Sequence, residues 1–289
     1  MKLIRFFIAL MLIAGFSFLL NYSILLHQKA KKVENEAKEI EVILSDSFER
    51  IEKIISFIGR RIVDDSQDFN LKIIHQVFIQ TAAIHDFNNI FSWSLFDWVD
   101  AEGYQSVNTM IGVRKNPPYM ADRNYRSRAN KNWNLIFSEL TIGVPSGMRV
   151  IPIGVQIDNK KSQYAGTVTA GINVKKLTSL VSAQLDKNIH FAVVDSRSNK
   201  FVFGSRDAEK YFNDIHFGKT DFTDDNQLIF TKNMEEKYPY RIFSRYDRGE
   251  FWHEVVQSSM ILTMQIIGTA LAVMFLQKIT KPDINHVLK

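Results

Sequence analysis

Two uninterrupted apolar runs stand near the ends of the chain. Residues 6–26, FFIALMLIAGFSFLLNYSILL, and residues 255–276, VVQSSMILTMQIIGTALAVMFL, carry no charge. About 20 such residues, at 1.5 Å each, cross a hydrocarbon core of roughly 30 Å. Both runs are therefore expected to be transmembrane helices. The first lacks a small-x-small cleavage site after Leu26 and exceeds the usual length of a signal-peptide core, so an uncleaved anchor is expected. Phe251 and Trp252 precede the second run, as aromatics do at a membrane–water boundary, and Lys278 and Lys281 follow it.

Between the runs the period changes twice. Ile40, Leu44, Phe48, Ile51, Ile55, Ile58 and Ile62 recur at steps of three and four, one face of a helix of about 35 residues that leaves the membrane. Such a stripe either packs on its own domain or forms a seam with a second copy. Leu71–Phe87 is a second helical stretch. After Asn89 the pattern turns to strands: Trp93–Val99, a turn at Asp100–Gly103, and Tyr104–Thr109. Then come Leu135–Ile142 and Met148–Ile157 around the Pro-then-Gly turn Val144–Gly147, and Gly166–Val174. Lys175–Leu185 has helical spacing. The order then restarts with strands at Ile189–Val194, Lys200–Phe203, Gln227–Thr231 and Tyr240–Ser244. This repeats architecture, not sequence. The expected fold class is α+β, two small modules on a long N-terminal helix, flanked by two transmembrane helices.

Composition narrows the function. The 289 residues carry 36 Lys+Arg and 31 Asp+Glu, a net charge of +5, with the basic residues scattered. That offers no footprint for nucleic acid. With no cysteine, a disulfide scaffold, a thiol enzyme and a cysteine-held cluster are excluded. The seven His form no HExxH or His-x-His pair, there is no P-loop or GxGxxG, and Gly143–Gly147 reads GxxSG, a turn and not a serine elbow. No enzyme, metal or cofactor is expected. Asp97 and Asp100 flank a hairpin and read as ordinary edge and turn residues. Three lysines after the second run (278, 281, 289) favour a cytoplasmic C-terminus, which places residues 27–254 outside the cytoplasm.

One polar cluster stands out. Asp122-Arg-Asn-Tyr-Arg-Ser-Arg128 precedes Trp133 and a strand pair. An Arg can clamp a carboxylate with two hydrogen bonds, and a Tyr supplies an apolar wall with one hydroxyl. The alternative reading is a solvated basic helix.

The stretch Asp122–Leu177 resembles the distal half of a double Cache (dCache) sensor domain, the extracytoplasmic ligand-binding unit of bacterial receptors. The resemblance is carried by the "DRxY" start at Asp122, Arg123 and Tyr125, by Ser146-Gly147, and by GTVTAGINVKKL at Gly166–Leu177. It implies two PAS-like (Cache) modules, with Arg123, Tyr125 and Trp133 at the ligand pocket of the distal one. The amino-acid-binding subgroup has an aromatic where this chain has Asn124, and an Asp where it has Gly171. Without that Asp an α-ammonium loses its charge partner, while a small anion such as a carboxylate still fits. Ile279-Thr-Lys-Pro282 resembles the start of a HAMP linker, so the expected output is either a part of the receptor lost or removed from this chain or a partner subunit.

The expected organisation is an anchor at 1–26, a stalk helix and second helix at 27–88, a membrane-distal module at 89–186, a membrane-proximal module at 187–254, a second span at 255–276 and a cytoplasmic tail at 277–289. The expected function is a sensor in the bacterial inner membrane that binds a small ligand and passes the change across the bilayer, as in two-component systems. Its expected partners are that ligand, the lipid bilayer, a second copy of the chain and a separate output protein. The alternative is an envelope scaffold or dimerising protein without a small-molecule ligand.

Overall fold

The computed structural model describes residues 2–84, 91–120, 135–142, 147–206, 208–210, 212 and 228–280. Helix α1 runs unbroken over Lys2–Asp65, so the first apolar run and the stalk are one helix of 64 residues, about 96 Å long. Gly15 and Gly59 fall inside it and no Pro interrupts it. A kink follows, with Asp68 and Phe69 at positive φ. Helix α2 spans Leu71–Ile84. At its start the Lys72 amide donates to the Asn70 side chain at 3.0 Å, satisfying one of the N–H groups a helix leaves free.

Eleven strands are described: β1 Phe91–Asp100, β2 Gln105–Asn108, β3 Gly112–Val113, β4 Ile136–Phe137, β5 Thr141–Ile142, β6 Arg149–Asp158, β7 Tyr164–Asn173, β8 Ile189–Asp195, β9 Lys200–Gly204, β10 Ile229–Asn233 and β11 Tyr240–Tyr246. They form two sheets. The larger has the order β3-β2-β1-β7-β6-β4, with β5 also on β6, and the smaller β10-β11-β8-β9. Helix α3, Val174–Ser182, leaves β7 and is capped by Asn173, whose side chain accepts the Lys176 amide. Helix α4 spans Arg248–Thr280. Asp247 accepts the Glu250 amide at 2.9 Å at its start, where a carboxylate also suits the helix dipole.

The segment expected as one strand, Leu135–Ile142, is instead two short strands. Ser138 still meets β6, its amide donating to Pro152 O, but between the Phe137–Ile153 and Thr141–Val150 pairs three residues (138–140) face two (151–152), a one-residue bulge.

The chain divides into two compact units. One comprises Met1–Glu34, Phe222–Phe230 and Arg245–Lys289, the other Asn35–Asp221 and Thr231–Ser244. In the second unit the seven-member stripe of α1 is fully buried, from Ile40 to Ile62. The stripe packs on its own chain, so a seam with a second copy would need another face of the helix. In the first unit the apolar side chains point outward: Met11 is 74% exposed and Met264 66%. Apolar residues bare over such lengths fit a lipid surround, and both helices are long and apolar enough to cross a membrane.

Candidate functional site

Strand β1 presents two chemistries on alternate residues, as the period of two requires. Phe96 and Trp98 face the helices: Phe96 lies 5.9 Å from Phe78 of α2, and Trp98 stacks on Phe69 at 5.7 Å. Glycine at 166 makes room for that indole, since a Cβ there would stand 2.3 Å from the Trp98 ring. Asp97, between them in sequence, belongs to a polar cluster. Its neighbours in register are Asn108 on β2 and Thr169 on β7.

The amide of Asn108 is oriented by the backbone. Its Oδ1 accepts the Met110 and Ile111 amides at 2.9 and 3.0 Å, so its Nδ2 is left to donate to Asp97 Oδ1 at 2.5 Å. The Gln105 side chain also hydrogen-bonds the carboxylate. Burial nonetheless dominates. Asp97 is half-buried, and the partial loss of water around its carboxyl pushes its pKa up to about 6, against the opposing pull of Asn108, Arg114 and Gln105. Arg114 is held opposite Ser106 through its backbone amide. Its guanidinium acts on Asp97 through charge alone, and its Nε is buried without a hydrogen-bond partner. A carboxylate on β1 and a guanidinium just after β3 thus act on one another across β2, and the guanidinium keeps an unused donor. Such an arrangement can receive a small polar molecule.

Reading Asp97 as an ordinary edge residue is therefore corrected: it lies inside the polar face of the sheet. Asp100 is the turn residue expected. It accepts the Gly103 and Tyr104 amides at 2.9 and 2.8 Å and the Ser106 hydroxyl. The residues expected to hold ligand, Arg123, Tyr125 and Trp133, lie outside the described residues, as does the turn at 143–146. Gly171 pairs with Pro152 in the middle of the β6–β7 ladder.

A second polar feature ties the two sheets to α1. Asp195, at the end of β8, is 4% exposed. Burial alone would raise its pKa, but the fork of Arg197, at 2.6 and 3.0 Å, together with the Arg197 amide, holds it below the usual carboxylate range. The same guanidinium donates to Phe137 O of β4 at 2.9 Å. Phe137 meets Phe48 of α1 at 5.0 Å and Tyr240 of β11 at 5.5 Å. A groove of about 650 Å³ is lined by Arg149, Thr178, Phe203 and Lys210 among others. Among the described residues no three His, Asp or Glu gather as a metal site would require.

No protein-family model matches the chain, and no curated protein does. Solved structures do. The ligand-binding domain of the Campylobacter jejuni chemoreceptor Tlp3, in complex with L-valine, is similar over 78% of this chain and 96% of its own, at 12% identity and a TM-score of 0.52. A domain of a Vibrio parahaemolyticus protein assigned to the sensory box/GGDEF family covers 80% of this chain and 99% of its own, at 11% identity and a TM-score of 0.55. The extracellular domain of rpHK1S-Z16, assigned as a histidine kinase, covers 76% and 93%, at 13% identity and 0.52. The fold is the one used by these sensory domains. That agrees with the Cache resemblance carried by the sequence.

Proposed function

We propose that the chain is a membrane-anchored, extracytoplasmic sensor that binds a small ligand on the larger sheet and transmits the change through its two membrane helices. One observation carries the reading: nearly the whole length of several sensory domains is matched by about four-fifths of this chain, which also carries two bare apolar helices. In this reading residues 89–186 and 187–254 are the distal and proximal PAS-like modules, 1–26 and 255–276 are the spans, and 277–289 is a cytoplasmic tail. The membrane is the bacterial inner membrane.

The ligand is assigned to Arg123, Tyr125 and Trp133 working with the Asp97 face. Chain connectivity supports this. The chain leaves the β1–β2 turn at Met120, whose amide donates to Gly103 O, and resumes at Leu135 before β4 on the opposite edge. From β2 to β4 is four strand spacings, roughly 19 Å. Fourteen residues, 121–134, can reach about 46 Å. The segment that carries the three candidates thus has length to spare for crossing the sheet. An anionic group docked on Arg123 would gain a two-pronged hydrogen bond. Tlp3 is described with isoleucine and L-valine bound. Here Gly171 lacks a carboxylate and Asp97 supplies one from a different strand, so the ligand need not be the same. A thermal-shift screen of the full chain in detergent micelles against small carboxylates, amines and nucleotides tests the proposal. A saturable rise in melting temperature supports it. A flat response across all three classes favours the scaffold reading.

A further inference from the structure

The two membrane helices are tied together where they leave the apolar runs. Lys29 stands three residues beyond Leu26 on α1, Glu254 one residue before Val255 on α4, and Tyr246 is the last residue of β11. These three side chains close a triangle. Lys29 Nζ pairs with Glu254 Oε2 at 2.6 Å and donates to Tyr246 Oη at 3.0 Å, while that hydroxyl donates to Glu254 Oε1 at 2.7 Å. The Lys29 ammonium also lies 4.5 Å from the centre of the Tyr246 ring, within cation–π range. Tyr246 is 1% exposed, and Lys32 adds a second positive charge toward Glu254. Rings also join the two helices: Trp252 stacks on Tyr22 at 5.5 Å and on Phe18 at 6.5 Å.

The difference between the two kinds of contact matters. Stacked rings tolerate sliding, because their attraction is spread over many atoms. A triangle of bonds at 2.6–3.0 Å does not, because hydrogen bonds weaken steeply beyond about 3.5 Å. Opening it also leaves a charge at the membrane face without its partner, which is costly. The triangle is therefore a contact that is either made or broken, the kind of element a transmitted change can act on.

We infer that Lys29, Glu254 and Tyr246 form a lock that fixes the register of α4 against α1 at the membrane face, with β11 as its handle. Only Asp247 separates Tyr246 from α4. A pull on β11 withdraws the phenol from Glu254, weakens the ion pair and frees α4 to shift. The lock is read from its own distances; only the claim that a ligand drives it rests on the sensor reading.

The chain has no cysteine, so introduced ones report alone. Leu20→Cys and Leu271→Cys, both exposed, would carry spin labels on the full chain in lipid nanodiscs. Pulsed electron spin resonance then measures the distance between the helices. The expected result is one narrow distribution in the parent. Lys29→Met and Tyr246→Phe should broaden it or move its mean by about 2 Å, on the scale at which a hydrogen bond is lost. The exchange Lys29→Glu with Glu254→Lys should restore most of the narrow peak. Circular dichroism controls for folding. Folded Lys29→Met and Glu254→Gln proteins with the parent's distribution would overturn the lock. If Lys29→Met broadens the peak while no ligand class moves the parent's, the lock stands and the sensor reading falls.

Discussion

Replacing Asp97 by Asn should stabilise the protein above pH 6, and the size of the gain follows from its surroundings. Burial raises this carboxyl from an ordinary value of 3.8 to about 6. Below pH 3.8 it is protonated in both the folded and the unfolded chain, and its contribution is fully present. Between 3.8 and 6 the unfolded chain has released the proton while the folded chain holds it. Stability therefore falls as pH rises, by about 1.4 kcal/mol per pH unit. Above 6 both states are ionised, and the whole penalty, on the order of 3 kcal/mol, remains. Asp97→Asn removes that penalty but replaces an ionic acceptor of the Asn108 hydrogen bond by a neutral one, which costs back about 1 kcal/mol. The net expectation at pH 7.5 is a gain of about 1–2 kcal/mol, or roughly 2–8 °C in Tm for a domain of this size. The assay is thermal unfolding of the full chain in micelles, followed by circular dichroism from pH 4.5 to 7.5. Comparing the two slopes cancels the other titrating groups. If the variant is no more stable at pH 7.5 and shows the parent's slope, Asp97 is not the strained carboxylate described.

Gly166→Ala should cost about 1–3 kcal/mol by overpacking against Trp98, read as a lower Tm with a red-shifted tryptophan emission. Arg197→Met leaves Asp195 buried without its fork and should cost about 3 kcal/mol in chemical unfolding, whereas adding Asp195→Asn should recover part of that loss. For topology, protease added to intact spheroplasts should cut within 27–254 and spare a C-terminal tag; early loss of the tag would contradict the orientation.

The elements that follow from a period were legible in the sequence. The stripe from Ile40 to Ile62 predicts a helix, and all seven of its residues are buried. Sequence could not choose between packing on its own sheets and on a second copy, because both demand the same spacing. Nor could it show that the helix is continuous with the first span, since a charged stretch at Lys29–Lys32 interrupts the apolar run without breaking the backbone. The break inside Leu135–Ile142 has no local signal; it is a bulge in which residues 138–140 face only 151–152 of β6. Asp97 was missed for a related reason. An alternating strand marks it only as the residue opposite Phe96 and Trp98, and its character comes from Gln105 and Asn108 on β2 and Arg114 just after β3. The lock at Lys29 and Glu254 joins residues 225 positions apart, which no spacing rule reaches.

The central claim is that a small ligand binds through Arg123. Losing a hydrogen bond to a charged group costs about 1.5–3 kcal/mol, a weakening of about tenfold to a hundredfold. Isothermal titration of the full chain in nanodiscs, with the best compound from the thermal-shift screen, measures it directly. The account predicts one site per chain, a loss of that size in Arg123→Ala, partial recovery in Arg123→Lys because Lys lacks the planar fork, and little change in Arg126→Ala. Equal affinities for the parent and Arg123→Ala would contradict it.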